Sequence, residues 1–523
     1  MRGMSAGSLV WSIAAACSCG QPPAADADQV AVPPHAAAPA TPPAEPVARV
    51  PAEPPVPPLP RGPVRSAQAD RAHAQGQELL LRGRETLPPL QPVPEPVAAW
   101  AQPPRAGLSH TEDEDEGEAA MPEVVADAQG ESLDAGMPGY FVPITAGESA
   151  LAHFHAALVD LQRGRDADGK VRVAMYGASG TAADLSVGYV RSYLQTRFGD
   201  GGPGFVPLVP LSRWYRHSEV EVSASKGWRK EHAQIRSGRQ DGLYGLLGAS
   251  FTATDGKRWA TVEPKERRVS AEGVTHVELM FLRQPQGGTF EVRIDGEPPQ
   301  RVSTAAPSFE PGYHVIEVEP GPHTVAVRTL DEAEVRVFGV VLERAEPGVV
   351  VDVLGIDGTR GGNHLSWDEA LWADNLARRA PDLYTLSYGT NESVDEDMSI
   401  QLYAEGLREQ LQRFRRVLPQ SSCVLLGPCD FPVREGDQLR PRPLLREIIA
   451  VQREVAAQEG CGFWDGVAFM GGELSMETWV QAEPPLARGD YLHFNARGAA
   501  RKGMALSDAL LHAFDARSMG AAG

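Results

Sequence analysis

The chain has 523 residues, more than one ordinary domain needs, and 42% of them are hydrophobic, enough for a substantial core. With 49 Lys and Arg against 69 Asp and Glu, the net charge is −20, and a nucleic-acid partner is excluded because phosphate binding needs clustered cations. Five cysteines are too few for a disulfide scaffold, none lies in a CxxC pair or a His/Cys cluster with metal-site spacing, and neither metal nor cofactor is expected.

In chain order, the first element is an N-terminal address. Arg2 precedes an apolar stretch from Leu9 to Ala16, too short to cross a bilayer, and small residues lead into Cys17. The pattern fits a secretory signal, and the residues before Cys17 resemble a bacterial lipobox. The expectation is a signal over 1–17, lipidation at Cys17, and a bacterial cell-envelope lipoprotein anchored to the membrane and facing the periplasm or the outside.

Residues 18–135 read as a disordered, acidic linker rich in Pro and Ala. Roughly half of the 45 prolines precede residue 122. The run "PAEPPVPPLP" cannot build hydrogen-bond ladders, because proline lacks the donor. The run "TEDEDEGE" repels itself and stays solvated. One short helix is expected near "AQGQELLLRG".

Ordered structure is expected from Gly136. "TAGE" (145–148) is a capping-box pattern, followed at helical spacing by Leu151, Phe154, Leu158 and Leu161. "VRVAMYG" (171–177) is a buried strand that breaks into a small-residue turn bearing two hydroxyls, Ser179 and Thr181. "LSVGYVRSYLQTRFG" (185–199) is a helix ending at Gly199. From 207 to 348 the periodicity changes to short alternating strands. In "GTFEVRIDGEPP", Phe290, Val292 and Ile294 share one face, and Asp295-Gly296 signals a hairpin turn. This segment reads as an all-β sandwich of about 140 residues.

Strands and helices then alternate to the end. "GVVVDVLGIDG" and "DLYTLSYGTNE" are strands, Leu407, Leu411, Phe414 and Leu418 mark a helix, "CVLLGPCDF" is a strand, and "ARKGMALSDALLHAF" is the last helix. The pattern predicts a doubly wound, flavodoxin-like parallel sheet formed by residues 136–206 and 349–516, with the sandwich 207–348 inserted. Cys429 and Cys461 are a candidate pair in an oxidising compartment.

Open α/β sheets place their sites at the carboxyl ends of strands. Three such ends carry polar groups: Ser179, Asn391 in "YGTNES", and Asp490 with His493 in "GDYLHFNARG". The glycine turn "GIDGTRGG" lies between the first two. Together they suit acyl transfer. A serine hydroxyl needs a base, His493, and the base needs an orienting carboxylate, Asp490. The N–H groups of Ser179 and Gly358 and the Asn391 amide can donate to an oxyanion.

The blocks "YGASGTAAD", "GIDG", "YGTNE" and "DYLH" resemble, in order, the four blocks of the SGNH (GDSL-type) hydrolases. The first block departs from the usual Gly-Asp-Ser: Ala178 stands where the acidic residue does, and Gly180 where many relatives carry His. Gly355 competes with Gly358 for the second block. The split by a β-sandwich is similar to the peptidoglycan O-acetylesterases, whose insert resembles a carbohydrate-binding module. That resemblance implies a serine esterase that removes O-acetyl groups from muramyl residues. The partners expected are an acetylated glycan and, through the lipid, a membrane. Esterase action on another acetylated polysaccharide, acyl transfer, and a non-catalytic glycan-binding role are the alternatives. In the insert, Trp214, Tyr215 and Trp228 are placed either on sugar rings or in the core.

Overall fold

The computed structural model describes residues 62–94, 97, 137–235, 238–265 and 273–520. Cys17, the signal pattern and most of the expected linker lie outside the described residues.

Seven helices are used below: α1 (Ala67–Leu81), α2 (Ala152–Gln162), α3 (Ser186–Phe198), α4 (Glu369–Arg379), α5 (Ile400–Val417), α6 (Pro443–Gln458) and α7 (Ala496–Gly520). Five parallel strands form the central sheet: β1 (Lys170–Gly177), β2 (Gly348–Gly355), β3 (Leu383–Ser387), β4 (Ser422–Leu426) and β5 (Gly462–Trp464), in the order β2-β1-β3-β4-β5. Parallel strands are covered on both faces, so β1 and β2 are apolar almost throughout. Side chains alternate across the sheet. Val171, Val173 and Met175 enter the layer containing α2, α3 and α7, whereas Ala174 and Tyr176 enter the layer of α4, α5 and α6. Helix α5 buries Leu407, Leu411 and Phe414, as the spacing predicts, and Ser399 caps its first turn. The strand order reverses direction at β1, so the crevice beyond β1 and β3 is the topological switch point.

The segment between β1 and β2 builds two antiparallel sheets. Gln300–Ser303, Thr289–Ile294, Val325–Thr329, Trp259–Pro264 and Val220–Ala224 form one. Glu310–Gly321, Val274–Arg283, Val335–Arg344, Ala249–Ala253 and Arg229–His232 form the other, with Gly204–Pro207 added beside Val335–Arg344. Sandwich pairing therefore begins at Gly204, slightly before the change in periodicity. The Asp295-Gly296 turn has positive φ at both residues and a Glu297 N–H to Ile294 carbonyl bond, as a type I′ hairpin requires. Trp228 and Tyr215 are buried, and the Trp228 indole N–H donates to the Trp259 carbonyl. Trp214 projects into solvent.

Two expectations are corrected. First, residues 62–94 are not extended linker. Helix α1 docks on α3 and α7, and Gln91–Pro92 pairs in parallel with Tyr140–Phe141. The helix expected near "AQGQELLLRG" is the second half of α1; the buried face is mostly small and polar (Ala69, Ala72, His73, Gly76, Gln77) with Leu81 at its end, so the sequence marks its last turns and not its first. A Cβ at Gly76 would lie 2.8 Å from the Tyr189 ring, and glycine permits that close approach. Buried Asp508 on α7 accepts from Arg65 (2.6 Å) and pairs with His73 (2.8 Å). Asp508→Ala leaves Arg65 without its counter-charge and His73 without its hydrogen-bond partner, and should lower unfolding stability by about 3 kcal/mol in urea titrations. Second, the bonded cysteines are Cys423 and Cys461, with Cα atoms 4.9 Å apart, and Cys429 is free. Cys423 lies on β4 and Cys461 immediately precedes β5. These neighbouring strands bring the two within disulfide range.

A buried ionic network joins the two β systems. Arg379 on α4 binds Asp352 of β2 at 2.9 and 3.0 Å and Glu343 of the sandwich at 2.7 Å, while Arg172 of β1 binds Glu343 at 2.9 and 3.0 Å. Asp352 also accepts from the Phe205 N–H at 2.8 Å, at the first strand of the sandwich.

Candidate active site

Strand β1 ends at Gly177, flanked by Gly355 of β2 and Ser387 of β3. A side chain at Gly177 would collide with Thr181 Oγ1, so the sharp exit requires glycine. The chain then enters a single helical turn, Ser179–Ala182, held by N–H bonds from Thr181 and Ala182 to the Ala178 carbonyl at 3.0 Å each. At the start of such a turn, the Ser179 N–H has no intrahelical acceptor. The two hydroxyls part company here: Thr181 is buried, whereas Ser179 is half-buried at the crevice. Gly180 faces open space, so no steric demand keeps that position small.

Ser179 Oγ lies 3.3 Å from His493 Nε2, within the looser range of an unliganded nucleophile and base. His493 Nδ1 lies 2.9 Å from Asp490 Oδ2. The other Asp490 oxygen accepts the N–H groups of Leu492 (3.1 Å) and His493 (3.0 Å). Partial burial pushes the Asp490 carboxyl up, but these two N–H bonds and the His493 ring outweigh it and hold the pKa below its ordinary value. Asp490 therefore stays ionised. Tyr491, inside this turn, has φ +55, a left-handed conformation that a bulky residue rarely adopts. The turn is closed by the Arg488 N–H to His493 carbonyl bond (2.8 Å), and Asn495 caps α7 through the N–H groups of Arg497 and Gly498.

Asn391 follows β3. Its Nδ2 donates to the Thr359 carbonyl at 2.8 Å, which places the amide beside the turn containing Gly358. A side-chain amide has two N–H bonds, so one remains for a ligand. Gly358 is exposed with φ +73, as a tight turn demands, and its surroundings are open. Gly355 is different: it is buried, and a side chain there would collide with the backbone of Ala182. Its glycine is explained by strand packing against the Ser179–Ala182 turn.

Sequence reasoning missed Glu392. Its buried carboxylate accepts the Gly361 N–H at 2.7 Å and the Gly389 N–H at 2.9 Å. It ties the turn after β3 to the turn after β2 and so fixes Asn391 relative to Gly358. Burial pushes its pKa up, against the pull of those bonds. The only sequence signal was an acid adjacent to Asn391. Among the described residues, no group of three or more His, Cys, Asp or Glu side chains is placed to hold a metal, and no helix is long and apolar enough to cross a membrane.

The arrangement can take a proton from a hydroxyl and store it on an imidazole held by a carboxylate.

Residues 322–501 match the GDSL-like Lipase/Acylhydrolase family. That stretch contains Asn391, Asp490 and His493. None of the curated proteins matches the chain. Among solved structures, the chain is similar to one described as "Peptidoglycan O-acetylesterase in action, 5 min", at 24% identity, over 69% of this chain and 96% of that one, with a TM-score of 0.57. This likeness extends the shared fold beyond the family match. Two others are an alpha/beta hydrolase enzyme from the metagenome of Lake Arreo, Spain (18% identity, 31% and 72% covered, TM-score 0.25) and an acetylxylan esterase from Geobacillus stearothermophilus (19%, 32% and 72%, 0.24).

Proposed function

We propose that the chain is a GDSL-like (SGNH) carboxylic ester hydrolase that removes O-acetyl groups from a cell-envelope glycan, most specifically from muramyl residues of peptidoglycan. The observation that carries this reading is the Ser179–His493–Asp490 relay at the switch point of the sheet. The likeness of both the α/β domain and the sandwich to a peptidoglycan O-acetylesterase supports the substrate.

The proposed reaction has two halves. Ser179 Oγ attacks the acetyl carbonyl while His493 Nε2 takes its proton. The oxyanion lies against the N–H groups of Ser179 and Gly358 and the free N–H of Asn391. Collapse breaks the bond to the sugar oxygen, and His493 returns the proton to it, leaving an acetyl-serine. Water, deprotonated by His493, releases acetate and restores Ser179. Asn391→Ala should lower turnover on the order of 10²–10³-fold, with a smaller effect on KM, as steady-state assays with an aryl acetate would read.

The test of function is acetate release from O-acetylated peptidoglycan beside an acetylated xylan. Preference for xylan would replace the substrate. Acetate passing to added sugar instead of water would make the chain a transferase. No release from any ester would leave glycan binding alone. We further place the protein in the envelope as a lipoprotein anchored through Cys17. The Cys423–Cys461 bond suits an oxidising compartment. Cys17→Ser should move the protein from the membrane to a soluble fraction, and an unchanged membrane fraction would refute the anchor.

A further inference from the structure

Residues 212–216 form a loop from the sandwich side whose two ends are fastened to the catalytic turns. At one end, the Ser212 hydroxyl donates to Asp357, the neighbour of Gly358. At the other, the Arg216 N–H donates to the Ala182 carbonyl at 3.1 Å, in the turn that begins with Ser179. The loop is stiffened from within. Trp214 N–H donates to Ser212 Oγ at 3.0 Å, and the Arg216 guanidinium donates to the carbonyls of Arg213 (2.7 Å) and Tyr215 (2.8 Å). Tyr215 is buried beneath.

Between these fastened ends, two side chains point outward. Trp214 is 51% exposed, although indole burial is worth more than that of almost any other side chain. The Arg213 guanidinium lies over its ring, 4.6 Å from the centroid. Arg213 is exposed, and among the described residues no carboxylate forms an ion pair with it. A rigid indole face beside an unpaired guanidinium, at the rim of an ester-cleaving crevice, is a place for a sugar ring carrying or adjoining a carboxylate.

We infer that Trp214 and Arg213 form a glycan subsite of the active site, the indole stacking on a sugar ring and the guanidinium pairing with a carboxylate of the lactyl group or stem peptide. This rests on the proposed function for the identity of the glycan. A neutral acetylated xylan offers the ring but no carboxylate, so Arg213 is the specificity-determining member of the pair.

The test separates binding from turnover. The full chain carrying Ser179→Ala is titrated with muropeptide disaccharides and with xylo-oligosaccharides, by calorimetry, alone and combined with Trp214→Ala, Trp214→Tyr or Arg213→Gln. Trp214→Ala should weaken both ligands roughly tenfold, and Trp214→Tyr should restore most of the loss. Arg213→Gln should weaken the muropeptide by about the same factor and leave xylo-oligosaccharide binding unchanged. Melting temperatures within error of the parent establish that each variant is folded. Muropeptide affinity indifferent to both Trp214→Ala and Arg213→Gln, or no muropeptide binding by the parent, overturns the subsite. If Arg213→Gln weakens both ligands equally, the carboxylate selectivity is overturned. Binding that depends on Trp214 in an enzyme that releases no acetate from peptidoglycan would refute the proposed function and not the subsite.

Discussion

Ser179→Ala is expected to lower hydrolysis of a small acetyl ester by on the order of 10⁴-fold or more while leaving the melting transition in place. The hydroxyl is half-buried at the end of β1, 3.3 Å from His493 Nε2, so its removal deletes the proposed nucleophile without opening a core cavity. His493→Ala should fall to the same residual rate, and the double variant no further, because nucleophile and base act as one unit. Asp490→Asn should lose on the order of 10³, at the lower end for such a relay. The side chains of Asp490 and His493 are 46% and 40% exposed, and solvent there screens the charge that the carboxylate contributes. An aryl-acetate assay reads all four. Undiminished turnover in Ser179→Ala would remove the assignment, and Thr181 is no substitute because it is buried against Gly177.

The largest effect on stability is expected at Arg379. Arg379→Met should destabilise the fold by about 3–5 kcal/mol, because Asp352 and Glu343 both lose the same buried partner. The loss should depend on pH, with a sign fixed by the network. Burial pushes the Glu343 carboxyl up, but Arg379 and Arg172 overcome that and hold its pKa far below the ordinary value. A carboxyl depressed in the folded state contributes stability that is present above its unfolded pKa of about 4.3 and is lost as pH falls through the folded value. In the variant the Arg379 attraction is gone and burial remains, so the carboxyl titrates higher. The gap between parent and variant should therefore be widest near pH 7 and narrow at an acidic pH below about 4.3, where the variant's carboxyl takes up a proton before the parent's does. Denaturant unfolding at the two pH values measures it. An equal gap at both would mean that the loss is one of packing alone.

The parts of this architecture written in large apolar residues were legible in the sequence. Leu407, Leu411 and Phe414 announce α5, and Phe290, Val292 and Ile294 announce a sandwich strand with its turn. The same pattern locates the strand ends, and so Ser179, Asn391, Asp490 and His493. What stayed hidden depends on partners distant in the chain. A helix was expected near residues 74–83, but not its docking: His73 of α1 reaches Asp508 across 435 residues, through a face mostly of small and polar side chains. Glu392 earns its place by receiving two backbone N–H groups, which no residue pattern encodes. The choice between Cys423 and Cys429 as the partner of Cys461 depends on strand order, because only the β4–β5 pairing brings a particular cysteine alongside. Trp214, Tyr215 and Trp228 were indistinguishable as letters; the loop at 212–216 turns Trp214 outward and Tyr215 inward, and Trp228 is buried beside the Trp259 carbonyl.

The two ends of the inserted sandwich meet. Gly201 N–H donates to Val349, Arg344 N–H donates to Gly201, and Asp200 bridges to Val349. This has a consequence for how β1 and β2 come to lie side by side during folding. Closing an unstructured stretch of that length carries a chain-entropy penalty of about 4 kcal/mol before any strand pairing offsets it. A sandwich that forms first holds its own ends together and removes most of the penalty, leaving an effective connection only a few residues long. Pairing of Gly177 with Gly355 then becomes a local event, and the serine and the glycine turn are brought together by the maturation of a neighbour.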